Sequence, residues 1–97
     1  MHARVTSLSG TPDDVDAGIA NFRDTVVPFA RGEGGRGAIL LVDRASGSAV
    51  AITLWDDEQT LRASEERANA LRAEAAEQMG ASVQPDVARY EVAVFET

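Results

Sequence analysis

G-A-I-L-L-V-D-R-A-S-G-S-A-V-A-I-T-L-W-D-D-E-Q-T-L-R-A-S-E-E-R, residues 37–67, holds two apolar runs, a polar turn between them and the start of a helix. Ala38 to Val42 is continuously apolar, Asp43 to Gly47 supplies turn residues, and Ser48 to Trp55 is a second run. A connection this short makes the two runs an antiparallel hairpin. Alternation along the second strand puts Val50, Ile52 and Leu54 on one face and Ala49, Ala51, Thr53 and Trp55 on the other. The bulky aliphatic face is expected to meet helices, and the small-residue face with Trp55 to stay open. Asp56 is placed to cap the helix that follows, with Gln59 in capping-box position. The start and stop signals predict a helix from about Asp57 to Met79, ended by Gly80. Leu61, Ser64, Ala68, Leu71, Ala75 and Met79 mark its inner face, and Glu58, Arg62 and Glu66 an outer charge ladder.

On the N-terminal side, residues 2–9 alternate weakly and read as a first strand, broken by Gly10. Thr11 is an expected N-cap, with Pro12 at the first helical position and Asp13, Asp14 and Asp16 in the first turn, where the helix dipole favours them. Val15, Ile19, Phe22 and Val26 form one apolar stripe. Pro28 is expected to end or kink this helix near Val26 or Val27, with Phe29 and Ala30 in a further short turn. G-E-G-G-R-G at 32–37 matches G-x-G-x-x-G literally. A dinucleotide loop needs a strand before it and a helix after it, and here that order is reversed, so the segment reads as a connection. Beyond the second helix, Ala81 to Asp86 with Pro85 is a connection. Val87 to Glu96 is a last strand, with Ala88, Tyr90, Val92 and Val94 on one face and Arg89, Glu91, Ala93 and Phe95 on the other.

The order strand, helix, strand, strand, helix, strand is the ferredoxin-like βαββαβ arrangement: an α+β fold, one domain over 1–97, with a four-stranded antiparallel sheet carrying two helices on one face. The open face of such a sheet is an apolar patch, and an apolar patch of that size marks an interaction surface. A two-fold homodimer with sheets face to face is therefore expected. Sixteen acidic against nine basic residues give a formal charge of −7. That excess argues against nucleic acid and anionic membranes, which require a basic footprint. The absence of cysteine excludes disulfides, thiolate catalysis and Cys-ligated metals. The N-terminus has no apolar leader and no segment approaches a membrane span, so the expected location is the cytoplasm. His2, the only histidine, reads as a solvated residue, and the aspartate clusters as helix-start charges, so no metal site is expected.

The element order and the passage A-I-T-L-W-D-D-E-Q-T-L-R-A-S-E-E resemble the dimeric α+β barrel superfamily, most closely the antibiotic biosynthesis monooxygenase-like (ABM) domains. Trp55, Asp57 and Leu61 match the family's pattern of a strand ending on tryptophan, a polar helix start and an inward leucine. Many members carry a histidine three residues after that leucine, where this chain has Ser64. The resemblance implies a dimer and, in part of the family, cofactor-independent oxygenation of phenolic or quinone-like rings, with no cofactor required. Such chemistry needs an apolar cavity and groups that orient a ring and stabilise its anion. Asn21, Trp55 and Tyr90 are the candidate catalytic residues, and Phe22, Arg89 and Ser64 the candidate substrate-binding residues. Two readings follow: an ABM-like monooxygenase acting on a small aromatic ligand, or a non-catalytic dimeric module that binds one.

Overall fold

The computed structural model describes residues 1–78 and 86–97, without the side chains of 75–78. Four strands, β1 (His2–Leu8), β2 (Gly35–Asp43), β3 (Ser48–Trp55) and β4 (Asp86–Glu91), form one antiparallel sheet in the order β2-β3-β1-β4. Helical segments cover one face: a 3₁₀ turn (Pro12–Asp14), α1 (Val15–Asn21), a π-helical turn (Phe22–Val26), α2 (Val27–Gly32), α3 (Glu58–Ala63) and α4 (Glu65–Gln78). This is the ferredoxin-like α+β fold.

The β2–β3 hairpin is closed by local bonds. The Gly47 N–H donates to the Asp43 carbonyl at 2.8 Å, and the Ala45 N–H to the Asp43 carboxylate at 3.0 Å. Gly47 sits at φ +82° against the backbone of Thr11 and Pro12, where a Cβ would lie 2.3 Å from the Thr11 carbonyl carbon. Only glycine meets both conditions.

Helical structure does not end at Val26 or Val27 but changes form there, from the π-helical turn to the short α2, which carries Phe29 and Ala30 on to Gly32. Pro28 has no N–H to give to the carbonyl four residues back, and its ring crowds that carbonyl. The backbone answers by widening: the Val27 N–H bonds the Phe22 carbonyl, five residues back. Thr11 does not cap through its side chain; its hydroxyl donates to the Asp14 carboxylate at 2.7 Å. Asp57 rather than Asp56 caps the next helix, accepting from the Thr60 N–H at 2.7 Å, while Asp56 pairs with Arg36 at 2.6 Å. That helix is broken at Ser64 into α3 and α4. Glu58 and Arg62 make the first step of the expected ladder at 2.8 Å. Ala75 as an inner residue, Met79, the Gly80 cap and the Pro85 connection lie outside what is described. β4 ends at Glu91, five residues short of its expected end.

The faces of the sheet are opposite to expectation. Register pairs Trp55 with His2, Thr53 with Arg4, Ala51 with Thr6 and Ala49 with Leu8, and this set lies under the helices. Trp55 is fully buried. Val50, Ile52 and Leu54 look out on the open face beside Ile39 and Leu41. Side-chain bulk misleads here because both faces of β3 are apolar. The largest ring takes the side that can enclose it completely, since burial scales with the area removed from water.

The core lies in two parts. Trp55, Ala30 and Leu61 cluster at one end of the layer, and Leu8 and Ala49, with Leu40 and Val42, at the other. Between them the sheet presents Thr6, Ala51 and Thr53, side chains too short to reach the helices, and a cavity remains.

Candidate functional site

The cavity has a floor of Arg4, Thr6, Leu40, Ala51 and Thr53 from the sheet. Gly18, Asn21, Phe22, Val26 and Phe29 form one wall, and Ala68, Leu71 and Arg72 of α4 the other. Its volume is about 60 Å³. The π-helical turn contributes Phe22 and Val26, so the irregularity forced by Pro28 falls on the wall of the site. Phe29 and Leu71 also line an outer groove with Thr25, Arg67 and Ala70.

Arg4 is the most constrained polar group. It is 4% exposed in the middle of β1. Its Nη2 donates to the Leu61 carbonyl and to the Ser64 Oγ, both at 2.7 Å, and its Nε to Glu65 at 3.4 Å. Its guanidinium lies over the Trp55 ring, 5.3 Å from the centroid, a cation–π arrangement. Nη1 has no hydrogen-bond partner among the described residues, yet the structure leaves no side-chain nitrogen both sealed off and unbonded. Arg4 as a whole lines the cavity.

Glu65 gathers three arginines. Arg89 grips it with two bonds of 2.5 and 2.7 Å, Arg4 lies at 3.3 Å and Arg72 at 4.0 Å. Arg72 also donates to the Asn69 side chain. The hydrogen bonds from Arg89, with the charge of Arg4 behind them, hold the Glu65 carboxyl below its usual range despite partial burial. Burial pulls the Arg4 and Arg72 guanidinium pKa values down, and Glu65 pulls the other way. Both stay charged at neutral pH, because arginine titrates so far above it.

The six candidate residues separate into groups. Asn21 and Phe22 line the cavity. Trp55 stands behind the floor, its indole N–H donating to the Thr53 Oγ1 at 3.0 Å and its ring beneath Arg4. Ser64, 1% exposed, accepts from Arg4 and donates to the Leu61 carbonyl at 2.8 Å. Arg89 binds Glu65 at the rim. Tyr90 is 58% exposed on the open face, away from the cavity. Reading the sequence misses Arg4, Thr6, Thr53 and Arg72. A signal is present for three of them: Arg4 and Thr6 share the alternation of Leu8, and Arg72 lies four and eight residues after Ala68 and Ser64. Among the described residues, no three His, Asp or Glu side chains gather as a metal site would require.

No family model matches the chain. It is 36% identical over 96 residues to the uncharacterised protein Rv2557 of Mycobacterium tuberculosis, an alignment covering 98% of this chain and 42% of that protein. The chain thus spans about two fifths of the length of that curated relative. Among solved structures it is similar to a monooxygenase from the gene ActVA-Orf6 of Streptomyces coelicolor, in complex with nanaomycin D. The TM-score is 0.75 at 16% identity, over 99% of this chain and 92% of that one. It is also similar to SnoaB, a cofactor-independent oxygenase from Streptomyces nogalater, with TM-score 0.68 at 21% identity over 97% and 94% of the two chains. The chain therefore shares its fold with these two proteins.

Proposed function

We propose that this protein is a small cofactor-independent monooxygenase of ABM type, working as a homodimer on a single-ring phenolic or quinone-like substrate. The observation that carries the reading is the cavity itself: an apolar space between sheet and helices with Asn21, Phe22 and Arg4 converging on it. Its size argues for one ring. By this measure a water needs about 10–15 Å³, so 60 Å³ corresponds to roughly four to six waters. At about 30 Å³ of liquid each, that is the scale of an apolar cavity that takes benzene.

In this reading Phe22 stacks on or against the ring, Asn21 fixes a ring oxygen by hydrogen bonding, and Arg4 stabilises the phenolate. A ring that carries a second hydroxyl, as a hydroquinone does, gives an anion electron-rich enough to reduce dioxygen directly. One oxygen atom enters the ring as a carbonyl and the other leaves as water with the two displaced hydrogens, so phenol plus dioxygen gives quinone plus water and no outside reductant is consumed. Trp55 and Ser64 act through Arg4, as positioning residues. Tyr90 belongs with Ile39, Leu41, Val50, Ile52 and Leu54 on the open sheet face, which is the proposed dimer surface.

A specific observation favours a second reading, a non-catalytic ligand-binding module. Among the described residues, the only ionisable groups lining the cavity are Arg4 and Arg72, and neither can take a proton from a phenol. Oxygen consumption decides between the two. A panel of single-ring phenols and hydroquinones should include one that drives stoichiometric oxygen uptake by the wild type. Uptake should fall in Asn21→Ala and vanish when Ala51→Leu fills the floor. Binding without oxygen uptake would establish the module instead, and turnover unchanged in both variants would remove the cavity from the chemistry.

A further inference from the structure

We infer that the ligand of this cavity enters as an anion: a single aromatic ring bearing an oxyanion that completes the charge balance of Arg4 and Arg72. This deepens the proposed function and rests on its assignment of the cavity as the ligand site. Three guanidinium groups, Arg4, Arg72 and Arg89, share one carboxylate, Glu65, which leaves two positive charges in excess. Among the described residues no other acid lies within ion-pair distance of any of the three. Arg89 is at the rim, where it grips both Glu65 oxygens and where water can screen it. The two cations with little access to water, Arg4 and Arg72, are the two that line the cavity.

A buried cation without its full complement of partners is costly, and a second anion is what removes that cost. Geometry gives the same answer. Glu65 and the Leu61 and Ser64 oxygens take up Nε and Nη2 of Arg4, and Nη1, on this cavity-lining side chain, has two donors and no acceptor among the described residues. An oxyanion can accept both, and a charge-assisted bond of this kind is about twice as strong as a neutral one. The remaining lining is apolar apart from Thr6, Asn21 and Thr53, so one charged edge and a flat apolar body describe the complementary molecule. Among the described residues the lining holds no base, and a ligand that is already ionised needs none.

Titration calorimetry on the full chain tests this with five probes: benzoate and pentafluorophenolate (both ionised at neutral pH), benzamide and phenol (neutral), and acetate (charged, no ring). Trp55 is the single tryptophan and lies under Arg4, so its fluorescence reports occupancy independently. Benzoate or pentafluorophenolate should bind about tenfold or more tightly than its neutral counterpart. Arg72→Gln should weaken the anions by a similar factor and leave benzamide unchanged. It spares every bond of Arg4, so it remains informative if Arg4→Met does not fold. Benzamide binding as tightly as benzoate, or an anion preference untouched in Arg72→Gln, overturns the inference while the aromatic cavity stands. Acetate binding as tightly as benzoate overturns the aromatic reading and leaves the anion site. No binding by any ring overturns both.

Discussion

Arg4 illustrates how one side chain joins the layers. It leaves the central strand, crosses under the Ser64 break and ties the α3–α4 junction to the sheet. Ser64 is its acceptor, which gives the serine a structural duty at the position where the resemblance would put a histidine. Ser64→Ala removes the bonds at 2.7 and 2.8 Å but keeps the Leu61 carbonyl as a partner for Arg4. A loss of about 1–2 kcal/mol, read from urea midpoints, is expected. Glu65→Gln should be worse, about 2–3 kcal/mol, because it leaves three arginines without their shared anion. The effect has a pH signature. The folded-state pKa of Glu65 lies below its unfolded value, so its stabilisation is full above the ordinary carboxylate pKa and is lost as pH falls through the folded one. The stability gap between wild type and Glu65→Gln should therefore close on acidification from neutral pH. A gap that stays constant would remove Glu65 from the charge network.

At the scale of elements, the informative feature is the helix that does not end at Pro28. Pro28→Ala restores a donor and relieves the crowding at the Asp24 carbonyl, so the π-helical turn can relax toward regular α-helix. Thermal unfolding should show a gain of about 1–3 kcal/mol, with weaker ring binding, because Phe22 and Val26 would leave their places on the cavity wall. A stability gain with unchanged binding would separate the turn from the site. In the hairpin, Gly47→Ala meets a left-handed φ and the Thr11 backbone together, and should cost at least about 2 kcal/mol. The order of elements was legible because each signal was local: turn residues at 43–47, a capped start near 57, and apolar stripes at helical spacing. The site was less so. Which face of β3 meets the helices depends on a comparison between two apolar surfaces, and alternation alone cannot rank them. The same inversion hid the cavity: Ala49, Ala51 and Thr53 read as room for another sheet, whereas they leave room beneath the helices. That Asn21 and Phe22 face inward was legible because the apolar stripe of the first helix points one way only. Arg4 went unnoticed because a lone charge within a short strand resembles an edge residue until the register of β1 between β3 and β4 is known.

At the scale of the whole molecule, one side of the sheet is left uncovered by the helices. Ile39, Leu41 and Tyr90 are 40%, 53% and 58% exposed there, beside Val50, Ile52 and Leu54. A contiguous apolar face of this kind is uncommon on a monomer. A chain of 97 residues encloses a modest fraction of its own surface, and its core is already interrupted by a cavity. The −7 charge does not oppose pairing through this face, because the central sheet residues facing outward are uncharged and acids such as Asp43 and Asp86 lie toward the strand ends. Burying one large aliphatic side chain contributes about 1.5–3 kcal/mol, so a glutamate in its place on this face both removes that term and adds a charge that must be desolvated twice in a two-fold pair. Leu41→Glu should therefore sediment as a monomer at micromolar concentration where the wild type sediments as a dimer. Its melting temperature should lose the concentration dependence that association confers. Ser7→Glu, which lies across Val50 from Leu41 on the same row of this face, should shift the equilibrium in the same direction. A wild type that is monomeric at those concentrations, with Leu41→Glu equally stable, would mean that this face serves another partner or none.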